Sequence, residues 1–343
     1  MSRVLRAVPV VLAALLSIAS GVRAGTPVAF GDVARTKADV TIVVTDSGLG
    51  GLSVVADLAA RLPDSGIVKS ARIVFVNAEP DPVWGFNDLK ADADKVRIFD
   101  GALSAMEARY QPDLILIACN TLSVVWPRTA HAKAGGVETV EIVSLGAGLI
   151  ERELAARPGA TALVFATKTT IESGAHKQLL TDRGVAPDRV VGEACPKLAG
   201  AIERGAGSEE TVSYVRRFVA DALEKRPSKA GPLVVSLNCT HFPYVTPLWE
   251  QAFATAGYPG VKVLDPNPLM TDLVLREGGG KRFPRTTVTV EAVSKVPVDG
   301  GTRANLGALL RKTSPETADA LLHIRQDPAL FPAVVEAGGV VPR

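Results

Sequence analysis

Short apolar runs of four or five residues recur along this chain, and most show no alternation of apolar with polar positions. They fall at Thr41 to Thr45, Arg72 to Val76, Leu114 to Ala118, Val140 to Val143, Ala162 to Ala166, Leu233 to Leu237 and Val261 to Leu264. Runs of this kind read as strands buried on both faces. Between them lie helix-like stretches, among them Leu52 to Leu62, Ala91 to Tyr110 and Glu209 to Lys225. Buried strands alternating with helices predict an α/β protein built on parallel sheets. Beyond about Gly278 the pattern changes: Val288 to Val293 reads as an edge strand, Thr302 to Lys312 and Ser314 to Arg325 as helices, and the last residues as a loose tail.

A weak internal repeat refines this picture. "IVVTDSG" from Ile42 pairs with "LVFATKT" from Leu163 at an offset of 121 residues, and Cys119 pairs with Cys239 at 120. Similar offsets for two different strands point to two related half-units. Two similar parallel-sheet lobes would then face each other across a central cleft, each bringing a cysteine to the carboxyl end of a strand, where open α/β sheets bind their ligands.

The chain has 343 residues, 47% hydrophobic and 22% charged, enough for one large or two medium domains. Its first 24 residues differ from the rest. Arg3 and Arg6 precede "AVPVVLAALLSIA", and Val22 and Ala24 stand at the small-residue positions of a cleavage site. This reads as a signal peptide, the apolar run being shorter than the roughly 20 residues of a spanning helix. Without Arg3, Arg6 and Arg23 the formal net charge of +2 becomes −1, which offers no electrostatic case for nucleic acid. Three cysteines are too few for a disulfide framework, and thiol chemistry is the better use for them.

Cys119 and Cys239 each follow a buried strand and precede an expected helix, capped by Asn120 or Thr121 in the first case and Thr240 in the second. A thiol at a helix amino terminus has its pKa lowered and can serve as base or nucleophile. The alternative for a single cysteine is a small buried hydrophobe; two in matching contexts favour chemistry. In "VTDSGLGGLSVV", Gly48, Gly50 and Gly51 allow the backbone close to a ligand after Asp46-Ser47. A dinucleotide loop, an Asx turn and a carboxylate that binds an ammonium or orients a thiol are all open readings, although Ser53 stands where a third loop glycine would be. The four histidines show no metal-ligand spacing.

Together, "DSGLGGLSV" from Asp46, "ACNTLS" from Ala118 and "NCTHFP" from Asn238 closely resemble the signature segments of glutamate racemase, in the cofactor-independent aspartate/glutamate racemase superfamily. The resemblance runs from about Asp39 to Leu275. It implies two lobes with the site between them, no metal, flavin or pyridoxal phosphate, and proton exchange between two thiols. Inversion needs a base on one side of the carbon and an acid on the other. By resemblance, Cys119 and Cys239 are that pair, Asp46 assists the first, His241 the second, and Glu203, in "ACPKLAGAIERG", is a further carboxylate. Ser47, Asn120, Thr121 and Thr240 in the matched motifs, and Thr167 and Thr170 in "ATKTTIESGAH", are the substrate contacts implied, while Cys195 is structural.

The chain departs from the pattern at "NAEPDPVWGFN". Asn77-Ala78 replaces the usual Gly-Asp, losing a carboxylate, and Val83-Trp84-Gly85 replaces Pro-Tyr-Gly, so Trp84 and Gly85 form a bulkier pocket wall. The expected organisation is a leader over 1–24, a first lobe over 38–135 to which 245–300 return, a second lobe over 136–244, and a helical extension and tail over 301–343. The expected activity is interconversion of L- and D-glutamate; the alternatives are racemisation of another amino acid or a hydantoin, or a periplasmic binding protein without turnover. The expected partner is a small amino acid, with no nucleic acid and, after leader removal, no membrane; a homodimer is compatible with the sequence. The family's usual task, D-glutamate supply for the cell wall, is cytoplasmic, so a periplasmic or secreted location would turn the enzyme toward extracellular or wall-derived amino acids.

Overall fold

The computed structural model of the protein describes residues 29–335 and 339–340; the leader read at 1–24 lies outside the described residues. Among the described residues, ten strands form two all-parallel sheets. The first holds β1 (Asp39–Asp46), β2 (Ser70–Asn77), β3 (Leu114–Ile117), β4 (Thr139–Glu141), β9 (Thr287–Ser294) and β10 (Arg325–Gln326), in the order β10-β9-β2-β1-β3-β4. The second holds β5 (Thr161–Ala166), β6 (Val190–Ala194), β7 (Leu233–Asn238) and β8 (Lys262–Leu264), in the order β6-β5-β7-β8.

The order β2-β1-β3-β4 is matched strand for strand by β6-β5-β7-β8. The sequence repeat thus corresponds to a repeated topology, with Cys119 just past β3 and Cys239 directly after its counterpart β7. Both sheets are covered on both faces, which explains the unbroken apolar runs. Ile42 and Val44 of β1 face one core and Val43 the other; Leu163 and Phe165 of β5 face one core, Ala162 and Val164 the other. In the second lobe Phe165 packs on Trp249 with ring centroids 4.7 Å apart.

The strand pairing redraws the expected lobe boundaries. β4 pairs with β3 and so belongs to the first sheet, which moves the start of the second lobe beyond the expected 136, and the expected strand Val140 to Val143 is cut short at Glu141. The Glu141 side chain accepts from the N–H groups of Val143 and Ser144 and starts a helix at Ile142. β8 pairs with β7, so residues 245–300 are divided between the sheets instead of returning whole to the first. β9 pairs with β2 along its full length and is flanked by β10, so it is not an edge. The extension folds onto the first lobe: the helices Gly300–Leu310 and Pro315–Leu322 pack on Leu52–Ser65, and the second also packs on β9.

Candidate active site

The carboxyl ends of β1, β3, β5 and β7 converge between the lobes. The first lobe presents Asp46 and Ser47 after β1 and Cys119 to Thr121 after β3; the second presents Thr167 to Thr170 after β5 and Cys239 to His241 after β7. Hydrogen bonds join the lobes here. The Thr240 hydroxyl donates to Asp46 Oδ2 at 2.7 Å, the Leu49 N–H to Glu203 Oε1 at 3.2 Å, and the Thr169 N–H to Asn87 Oδ1 at 3.1 Å; the Thr121 and Thr167 hydroxyls pair at 2.7 Å. Cys119 and Cys239 are 5% and 6% exposed, so the lobes stand closed over both thiols and must part to admit a ligand.

The two thiols have different company. The Ser47 hydroxyl lies 3.1 Å from Cys119 Sγ, and the charge of the Asp46 carboxyl also acts on that thiol. Burial pushes the Cys119 thiol far above its ordinary range, and the Asp46 charge adds to the shift. This reverses the lowering expected from a helix terminus. Cys119 is the N-cap of a helix of six residues, Asn120–Val125, and a fully buried thiolate costs more than so short a helix returns. Burial also raises the Asp46 carboxyl, against the opposing pull of His241 and of hydrogen bonds from Thr240 and Cys119.

On the other side, Cys239 Sγ lies 3.8 Å from His241 Nδ1, while His241 Nε2 meets Glu203 Oε1 at 2.6 Å. Burial works against a charged imidazole, but the bonds to Cys239 and Glu203 outweigh it and hold His241 well above its usual pKa. No α-helix starts at Cys239: a short 3-10 turn, Phe242–Val245, intervenes before the helix Thr246–Thr255. Thr240 accordingly caps nothing, its hydroxyl being committed to Asp46.

The glycine-rich loop has a reason different from phosphate binding. A Cβ on Gly50 would lie 2.3 Å from Thr240 Oγ1 and 2.5 Å from His241 Nδ1, so a bare backbone is needed for the opposite lobe to close. Thr167 and Thr170 share a hydroxyl pair at 2.9 Å, continuing the chain from Thr121. Asn120 is 2% exposed with neither amide atom partnered in the protein. Trp84 packs half-buried against the cluster that contains Cys119, beside buried Gly85, whereas Asn77 bonds Ser294 on β9 and so ties β2 to its neighbour. Cys195 is buried, its thiol directed to the Glu193 carbonyl at 3.7 Å. No motif marks Asn87, which ends the divergent stretch, or Tyr244, whose buried hydroxyl feels the charges of Asp46 and Glu203.

Twin parallel-sheet lobes thus close on a pair of buried cysteines, each beside its own titratable neighbours. No family model matches the chain. It is 32% identical over 230 residues to the glutamate racemase of Herpetosiphon aurantiacus, covering 66% of this chain and 80% of that protein. It is 28% identical over 216 residues to that of Neisseria gonorrhoeae, covering 60% and 70%. Its fold is that of Francisella tularensis glutamate racemase, solved in complex with D-glutamate, with a TM-score of 0.60 and 18% identity over 80% of this chain and 95% of the other. The chain belongs to the glutamate racemase family.

Proposed function

We propose that the protein interconverts L- and D-glutamate by moving a proton between opposite faces of the α-carbon, with Cys239 and Cys119 as the two proton-transfer groups. The observation that supports this reading is geometric: each lobe brings one buried thiol to the closure, Cys119 beside the Ser47 hydroxyl at 3.1 Å and Cys239 beside His241 Nδ1 at 3.8 Å, with Glu203 behind the imidazole. In one direction the Cys239 sulfur, as thiolate, takes the α-hydrogen as a proton and leaves the electron pair on carbon. The Cys119 S–H then gives its proton to the opposite face, and the carbon is inverted. Cys119 ends as thiolate and Cys239 as thiol, the state that starts the reverse direction; Asp46 and His241 are placed to exchange protons with their own thiols and reset the pair.

Asn120 supplies the anchor. A buried amide with both polar atoms unpartnered is costly, and a bound amino acid offers a carboxylate to its N–H groups and an ammonium to its oxygen. A cavity of about 360 Å³ between the lobes is lined by Asn87 and Thr169 and carries Lys95, Arg128 and Lys168 with Asp92 and Glu172. Replacing Asn120 with Ala should raise KM for glutamate by about tenfold or more while changing kcat less, as for a lost hydrogen bond to a charged group. Steady-state kinetics in both directions measure it, and an unchanged KM removes Asn120 from the substrate site.

The deciding experiment is incubation with L-glutamate in deuterated water. Deuterium entering the α-carbon together with loss of optical rotation is the expected result. Tight binding without exchange would identify a binding protein instead.

A further inference from the structure

Within the C-terminal extension, one side chain reaches back to the site. The Asn305 Nδ2, on the helix Gly300–Leu310, donates to the carbonyl oxygens of Ile202 and Glu203, both at 2.9 Å. Those carbonyls lie in the last turn of the helix Leu198–Arg204, where intrahelical partners run out; the neighbouring Ala201 carbonyl is taken by the Gly205 N–H. Two acceptors facing one amide require its nitrogen there, so the orientation of Asn305 is fixed by chemistry. The same helix also packs on Leu52–Ser65, directly after the glycine loop, and so touches both lobes.

Glu203 has little room to move without consequence. Its carboxylate spans the gap between the lobes, accepting from the Leu49 N–H and meeting His241 Nε2 through the same oxygen. We infer that Asn305 is a positioning residue for the Cys239 side of the reaction: by capping the Ile202 and Glu203 carbonyls, it holds the Glu203 carboxylate on His241. This makes the extension part of the proton-handling arm, and it rests on the two-thiol reading proposed above. Cys239 depends on His241, His241 on Glu203, and Glu203 on the end of a helix that Asn305 closes.

The test is Asn305→Leu, nearly isosteric and neutral, with Asn305→Gln as the conservative variant that keeps both N–H donors. The charged and titratable groups facing His241 are Glu203, Cys239 and Asp46, and a neutral leucine leaves all three in place. In Asn305→Leu, kcat should fall about tenfold with KM changed less than about twofold, as for a misplaced catalytic neighbour. The His241 ring, followed by NMR, should titrate at lower pH than in the unaltered protein. Glu203→Gln should shift that titration the same way, and adding Asn305→Leu to it should shift it no further. Asn305→Gln should recover part of both effects. A His241 titration unmoved by Asn305→Leu overturns the inference, as does a further shift on the Glu203→Gln background. Should the protein not racemise glutamate at all, the function reading fails, and the His241 titration still decides the role of Asn305.

Discussion

Replacing either Cys119 or Cys239 with Ala should lower racemisation at least a thousandfold, and the two variants should fail differently. A proton-transfer group contributes about 10²- to 10⁴-fold, and inversion requires one on each face. Each single variant keeps one thiol with its own neighbours, Ser47 and Asp46 for Cys119 or His241 and Glu203 for Cys239. It can therefore remove and return a proton on one face alone. Slow exchange of the α-hydrogen for deuterium should persist with a single enantiomer of glutamate, without inversion, and the enantiomer should differ between the variants. Both thiols are buried in separate cores, and a cysteine-to-alanine change there removes one atom, so circular dichroism and thermal unfolding should stay close to the unaltered protein. Optical rotation with L- and D-glutamate, paired with proton NMR in deuterated water, reads all of this. Full turnover by either variant would refute the paired-thiol assignment, and exchange of the same enantiomer by both would place the sulfurs on one side of the substrate.

Most of the framework for this site could be read from the chain because parallel strands buried on both faces leave an unmistakable trace. β1, β3, β5 and β7 are predominantly apolar and almost wholly buried, and each leads directly into the polar residues of the candidate site. β6 leaves no such trace, because Gly192 and Glu193 interrupt its apolar character. The lobe boundaries were misplaced for a related reason: β4 and β8 are three residues each, and which sheet a short strand joins depends on distant pairing partners that local pattern does not reveal. The electrostatics of Cys119 were likewise hidden. A helix start is visible in sequence; the complete burial that overrides it belongs to the closed lobes. Contacts such as Asn87 with Thr169 and Asn305 with Glu203 join residues far apart in the chain, and asparagine carries no local pattern for such partners.

The glycine loop leads to the other large effect. Gly50→Ala should lower kcat/KM by about 10²- to 10³-fold, since displacing catalytic groups by about an ångström costs roughly 10²-fold. The added Cβ would sit 2.3 Å from Thr240 Oγ1 and 2.5 Å from His241 Nδ1, distances no side-chain carbon sustains. Neither neighbour can yield cheaply: Thr240 is tied to Asp46 and His241 to Glu203. The lobes must open or both polar arms must turn, and either disrupts the two proton-transfer groups together. The cause is contact alone, because Gly50 has no positive φ that would strain an alanine backbone. Gly48→Ala gives the internal comparison. Its Cβ would meet His241 Cε1 at 3.3 Å and Glu203 Oε1 at 3.5 Å, a tight fit met by a few tenths of an ångström of adjustment, so its loss should be far smaller. Since each lobe keeps its own core, thermal unfolding should change little in either variant, and kinetics should carry the difference. A Gly50→Ala protein as active as the unaltered one would mean that catalysis does not require the lobes to close as tightly as they stand here.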